Sequence, residues 1–310
     1  MKSLAIFALS AIASASALAV TSIDIQGTLS QTTTVGSLAQ VNNTAQPNST
    51  AIQNVSSNKG QVSLASGATL NQTSTLGGST AVTVKNEAKN AGDIAVQNIS
   101  SNYGTKTASV AILSGTTSQT TSVTGKSSLT NTAEGGGSSS NQQCHGDDCK
   151  DGAQAVQNVS SNAIGVEVKG HLTQKTTING GSTVSNLAKG KNALAQQSIA
   201  SNFNGVTIGS GTTNQTASIT SASIVTNEAN GPDAKATQNL ASNVGTGSLL
   251  GRVRINGNLD QTASLASSEV TNRATSKGTA IQNLASNFNG VTTNGTVTQQ
   301  VILTDTHVHN

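Results

Sequence analysis

The sequence predicts an all-β protein: a β-solenoid of stacked strand–turn–strand layers, with six repeats of about forty residues and a terminal half repeat. Three observations predict it. The composition cannot build an ordinary core, short polar phrases recur at a fixed period, and the amides of those phrases share a face with apolar residues.

Composition comes first because it narrows the class. Of 310 residues, 9% are charged and 1% aromatic, and Trp is absent. Large side chains are too scarce for a conventional globular interior. A net charge of +3 and evenly recurring Val, Ile and Leu also set the chain apart from disordered sequences. Polar, low-charge chains of this kind suit repetitive β architectures, where backbone ladders and small side chains supply the order.

The first element is separate from the repeats. Residues 1–19 read "MKSLAIFALSAIASASALA": Lys2, an apolar run, then Ala17-Leu18-Ala19. This is the pattern of a secretory signal peptide cut after Ala19. No later stretch approaches the roughly 20 apolar residues of a spanning helix. The mature chain is expected to be secreted, extracellular or at the cell surface, with no membrane span.

Residues 20–303 form the expected solenoid domain. One phrase has Gly and then Gln four or five residues later, at Gln31, Gln72, Gln119, Gln174, Gln215, Gln261 and Gln299. A second, apolar-x-Asn-x-Ala, places Asn43, Asn86, Asn131, Asn186, Asn227 and Asn272. A third, Ala-x-Gln-x-apolar-x-Ser-Asn, places Gln53, Gln97, Gln157, Gln197, Gln238 and Gln282. Its spacings are 44, 60, 40, 41 and 44.

Strand side chains alternate between faces with period two. Two before and two after Gln97 lie Ala95 and Ile99, and Val84 lies two before Asn86. The other copies repeat this placement. An unpaired buried amide costs about 1–3 kcal/mol, so nineteen of them require partners. Layers about 4.8 Å apart would set each amide on another and form a ladder. Neighbouring Gln positions are mostly 17 to 25 apart, which suggests two layers per unit. That gives about thirteen layers and a rod of order 60 Å.

Turns and loops follow from what the ladders leave out. Ser-Asn-x-Gly phrases offer Asn and Gly for positive φ. Tyr103, Phe203 and Phe288 follow Ser-Asn, either stacked along one corner or tolerated in turns. Pro47, Pro232, Lys89, Asp93, Lys189, Lys191, Lys235 and Lys277 fall in the gap between the second and third phrases. The same gap carries an insertion, about residues 134–152, which explains the spacing of 60. Such features mark one exposed loop.

Gln-x4-Asn occurs in all six units (Gln53/Asn58 through Gln282/Asn287). With the roughly 20-residue rhythm and export signal, this resembles curlin repeats of curli-type bacterial amyloid. The longer period is similar to that of the Fap class of functional amyloids. A curlin unit has Ser six before the Gln and a second Gln six after the Asn, where this chain has Pro47 and Leu64. The resemblance implies a secreted subunit that self-associates into surface or biofilm fibres.

Other chemistry has little support. Cys144-His145-Gly146-Asp147-Asp148-Cys149 favours a loop disulfide, Cys144 to Cys149, in an exported chain; a metal site is the alternative. The segment 304–310, with His307 and His309, reads as a frayed tail. Arg252 and Arg254 lack the aromatics of a nucleic-acid site. No catalytic constellation or cofactor motif recurs, so an enzyme is not expected. The competing functions are a monomeric or surface-anchored adhesin, binding a host or surface ligand through its loops, and, more remotely, an ice-binding protein. The latter rests on outward Thr-x-Thr/Ser rows such as Thr73/Thr75.

Overall fold

Alternation of small apolar and polar residues produces strands with one face in and one face out. Residues Thr69–Leu76 alternate strictly between half-buried and buried. A computed structural model describes residues 22–310 apart from 37, 47, 79, 90, 104–109, 136–152, 164, 204 and 246–251. Residues 1–19, expected to be a signal peptide, and the expected Cys144–Cys149 loop lie outside the described residues, as does Pro47.

The described residues form thirty-three strands and no helix, numbered here in chain order. The first turn holds β1 (Ser22–Ile25), β2 (Thr28–Val35), β3 (Gln40–Ala45), β4 (Ala51–Val55) and β5 (Asn58–Lys59). The second holds β6 (Gln61–Leu64), β7 (Thr69–Leu76), β8 (Thr83–Ala88), β9 (Ile94–Ile99) and β10 (Asn102–Tyr103). β6 pairs with β1, β7 with β2, and so on around the turn, always parallel. The chain thus winds as a five-sided β-solenoid whose sides we call sheets A to E. Sheets A, B and C have seven strands, and sheets D and E have six. The last strands are β29 (Thr279–Leu284), β30 (Asn287–Phe288), β31 (Val291–Thr293), β32 (Val297–Thr304) and β33 (His307–His309).

One forty-residue unit is therefore one turn, not two layers. Seven rungs replace the expected thirteen, and six spacings of about 4.8 Å make a rod of roughly 29 Å. Side-chain size explains the difference. In this register Leu29 sits on Leu70 and Ala51 on Ala95. Two layers per unit would alternate Leu with Ala in one column and leave voids.

The interior is divided into apolar columns. Val35, Leu76, Val123, Ile178, Ile219 and Leu265 run up one cluster with the Val84 and Ile99 columns. A second cluster holds only alanines, including Ala88, Ala95, Ala133 and Ala155. Sheets A and B supply the rest, with Leu64, Leu113, Val168, Leu70 and Leu172 low on the rod and Ile208, Ile255 and Leu259 high.

Gly60, Gly205, Asn289 and Gly290 of the Ser-Asn phrases take positive φ as expected, and the corner just before them, between sheets D and E, adds a left-handed position that the sequence reading did not assign. Its left-handed residues are Ser56, Ser100, Ser160, Ala200, Ala241 and Ala285, with φ of 44° to 51°. The following Asn lies in the short strands of sheet E. The hydroxyl of the intervening Ser holds the corner: Ser101 Oγ donates to the carbonyls of Ile99 and Asn158, while Ser101 N donates to Ser57 Oγ.

Candidate functional site

The candidate functional features of this fold are its amide columns and the two ends where they stop. Each Gln or Asn occupies the same register position in every turn, so like stands over like. In sheet B, Gln72 Nε2 donates to Gln31 Oε1 at 3.1 Å, Gln119 to Gln72 at 2.9 Å, and Gln174 to Gln119 at 3.0 Å. Gln215, Gln261 and Gln299 continue it, each at 2.9 Å. In sheet D, Gln97, Gln157, Gln197, Gln238 and Gln282 run down to Gln53 at 2.7–2.8 Å. In sheet C, Asn43, Asn86, Asn131, Asn186, Asn227 and Asn272 form a third column. The two glutamine sets, expected to interleave in one stack, stand in separate sheets.

The second amide hydrogen ties sheets together across the interior. Asn86 Nδ2 donates to the carbonyls of Ala51 and Val96, in sheet D. Gln97 and Gln197 Nε2 donate back to the sheet C carbonyls of Thr130 and Thr226. Gln72, Gln174, Gln215 and Gln261 reach the carbonyls of Ser101, Ser201, Ser242 and Ser286. Each such carbonyl has a second lone pair available beyond its ladder bond. These contacts identify the nitrogen of each amide, and so the direction of each column. Both glutamine columns donate toward the amino-terminal end. The Asn43 column donates the other way, toward Asn310, whose Oδ1 accepts from Asn272 at 2.9 Å.

Sequence reading missed three columns. Asn58, Asn102, Asn162, Asn202, Asn243 and Asn287 form a buried ladder in sheet E that also donates toward the carboxy-terminal end. Asn54, Asn98 and Asn158 form another, as do Asn239 and Asn283, with Ser198 between the two runs. The corner serines form the third. The constant Gln-x4-Asn spacing was the available signal for the first.

The remaining expected features are placed as follows. The tail is not frayed: β33 pairs with β28, residues Glu269–Ala274, setting His307 opposite Glu269. Val308 packs inward, and the two imidazoles lie outside with centroids 6.2 Å apart. Among the described residues, no group of three or more His, Cys, Asp or Glu could hold a metal ion, and no helix is long and apolar enough to cross a membrane. Arg254 is exposed on sheet A between Thr207 and Thr292. Tyr103, Phe203 and Phe288 share a column but alternate with Ala163 and Val244, so they do not stack on one another. The outward Thr rows occupy adjacent rungs of sheet B, interrupted at Lys175. Glu87, outside the main columns, is held by Lys85 and Lys89 at 2.9 and 3.3 Å. Burial pushes its carboxyl up, but the two ammonium groups outweigh that and hold it below the ordinary glutamate value.

At both ends the columns stop with nothing over them among the described residues. On β32, Val301 is 44% and Leu303 52% exposed, whereas Ala263 and Leu265, one rung below, are fully buried. These are interior side chains at an open cross-section.

Comparison with known proteins finds no matching family model, no matching curated protein and no matching solved structure. The curlin and Fap resemblance therefore rests on the residues alone.

Proposed function

We propose that the protein is a secreted, non-catalytic structural subunit of an extracellular surface fibre or biofilm matrix, assembled by stacking of strand edges. The exposed cross-section of the last described rung carries this reading. Its interior residues Val301 and Leu303 are exposed, and the unpaired backbone groups of an edge strand recruit further strands. The export pattern of residues 1–19 supports placement outside the cell.

The test is electron microscopy and fibre diffraction of purified residues 20–310. Fibres with a meridional reflection near 4.7 Å are expected. A chain that stays monodisperse at high concentration would overturn the proposal. The adhesin reading has one supporting observation: the longest connection between strands, which carries the insertion, falls at the corner between sheets C and D, between Ala133 and Gln154. Deleting residues 134–152 should then abolish surface attachment while leaving any fibres intact.

A further inference from the structure

The fibre reading leaves open how two copies meet, and the two ends supply the answer. It is written in three independent features of the columns.

The first is shape. Followed through the pairings, the inward residues of the first turn share columns with those of the last. Ile23 is matched by Val291, Leu29 by Val297, Gln31 by Gln299, Val35 by Leu303 and Val41 by Val308. Each end offers the other the neighbour that an interior rung has.

The second is hydrogen-bond polarity. From Gln72 to Gln261 each member of the sheet B column donates twice, whereas Gln31 Nε2 makes one bond, to Asn58 Oδ1 at 3.0 Å. Its other hydrogen belongs to the amino-terminal end. At the opposite end Gln299 donates downward to Gln261, which turns its Oε1 toward the next rung. In sheet C, Asn43 donates up the rod and turns Oδ1 to the amino-terminal end. Unlike ends therefore present donor to acceptor, whereas in sheet B two amino-terminal ends would set donor against donor and two carboxy-terminal ends acceptor against acceptor.

The third is a glycine. At the corner between sheets A and B a glycine column runs through Gly115, Gly170, Gly211, Gly257 and Gly295. A Cβ on any of these would meet the carbonyl oxygen of the rung beneath at 1.8–2.3 Å. Ala68 is the column's one methyl-bearing member. Gly27 begins the column, and a Cβ there meets nothing within 4 Å. Its φ is not in the left-handed region either. Among the described residues nothing within one copy calls for glycine at this position, whereas a carbonyl below it would crowd a Cβ as it does at the five later glycines.

We infer that the amino-terminal end of one copy seats on the carboxy-terminal end of a second in the register of two adjacent rungs. Gly27 then lies against the Gly295 carbonyl, and Gln31 donates to Gln299 Oε1. β1, β2 and β3 pair with β31, β32 and β33. β29 and β30 lie one rung lower, so the contact is made on the three seven-stranded sheets and leaves a rung-high opening over the other two. The inference rests on the fibre reading but is separately testable.

Gly27→Val should leave the monomer's thermal midpoint unchanged while slowing elongation by about fivefold or more, because its side chain overpacks the new contact. Gly92→Val, at another open glycine, serves as a control that should alter neither. Register is read by cysteine pairing in a background with Cys144 and Cys149 replaced by Ser. Thr32→Cys and Gln300→Cys share an outward column of sheet B. The mixed variants should oxidise to a crosslinked dimer, and either alone should not. Wild-type fibres with normal elongation of Gly27→Val, or self-crosslinking of either single variant, would overturn this register while sparing the fibre. Absence of wild-type fibres would remove both.

Discussion

Ser198 interrupts one amide column, and its neighbours register the loss. Asn158 Oδ1 and Asn239 Nδ2, the groups that would meet an asparagine there, are buried without partners, as is Ser198 Oγ. A serine is too short to bridge two rungs. Ser198→Asn should raise stability by about 1 kcal/mol, the usual net worth of a buried hydrogen bond. A denaturant midpoint that does not rise would show that this column carries no net energy. Conversely, Gln157→Leu strands Gln97 Oε1 and the Gln197 donor, and should cost at least the 1–3 kcal/mol of an unsatisfied buried group. At this scale the nineteen amides were legible because each shares strand parity with Ala, Val or Leu. The Asn58 column was not. Between Gln53 and Asn58 the chain turns through the left-handed Ser56, which breaks the alternation by which faces are assigned.

Among elements, strand existence was readable and strand pairing was not. The Gln31-type and Gln53-type phrases both place a glutamine beside small β-favouring residues, and their spacings permit either to follow the other in a stack. Only the flanking sizes, Leu in one and Ala in the other, separate them. Corners impose a second selection. A methyl at Gly211 would lie 1.8 Å from the Gly170 carbonyl, so Gly211→Ala should destabilise the rod by about 1–3 kcal/mol. Equal thermal midpoints for this variant and wild type would contradict the close approach. On β8, Glu87 has a lowered folded pKa, so its contribution is present above the ordinary glutamate range and lost as pH falls through the lowered value. Glu87→Gln should therefore be less stable than wild type near neutrality. The two should converge in acid, which is checked by thermal midpoints across that range.

Taken whole, the molecule is quasi-one-dimensional: every turn touches mainly the turn above and below. Removing residues 171–211 would join Gly170 to Thr212, the register partner of His171, and delete one turn. The shortened chain should still fold cooperatively, with six-stranded sheets where there were seven. Loss of folding would show that the rungs are not interchangeable.

The opposed directions of the columns have an electrostatic consequence. The glutamines of sheets B and D, thirteen in all, point their nitrogens one way along the rod. The asparagines of sheets C and E, also thirteen with Asn310, point theirs the other way. Their dipoles offset one another. Unlike an α-helix, whose peptide dipoles add, this rod gains no axial macrodipole from these four columns. What axial polarity remains comes from the Asn54-type column, which donates toward the amino-terminal end, and with a net charge of +3 on each copy added salt should speed encounter by screening their repulsion.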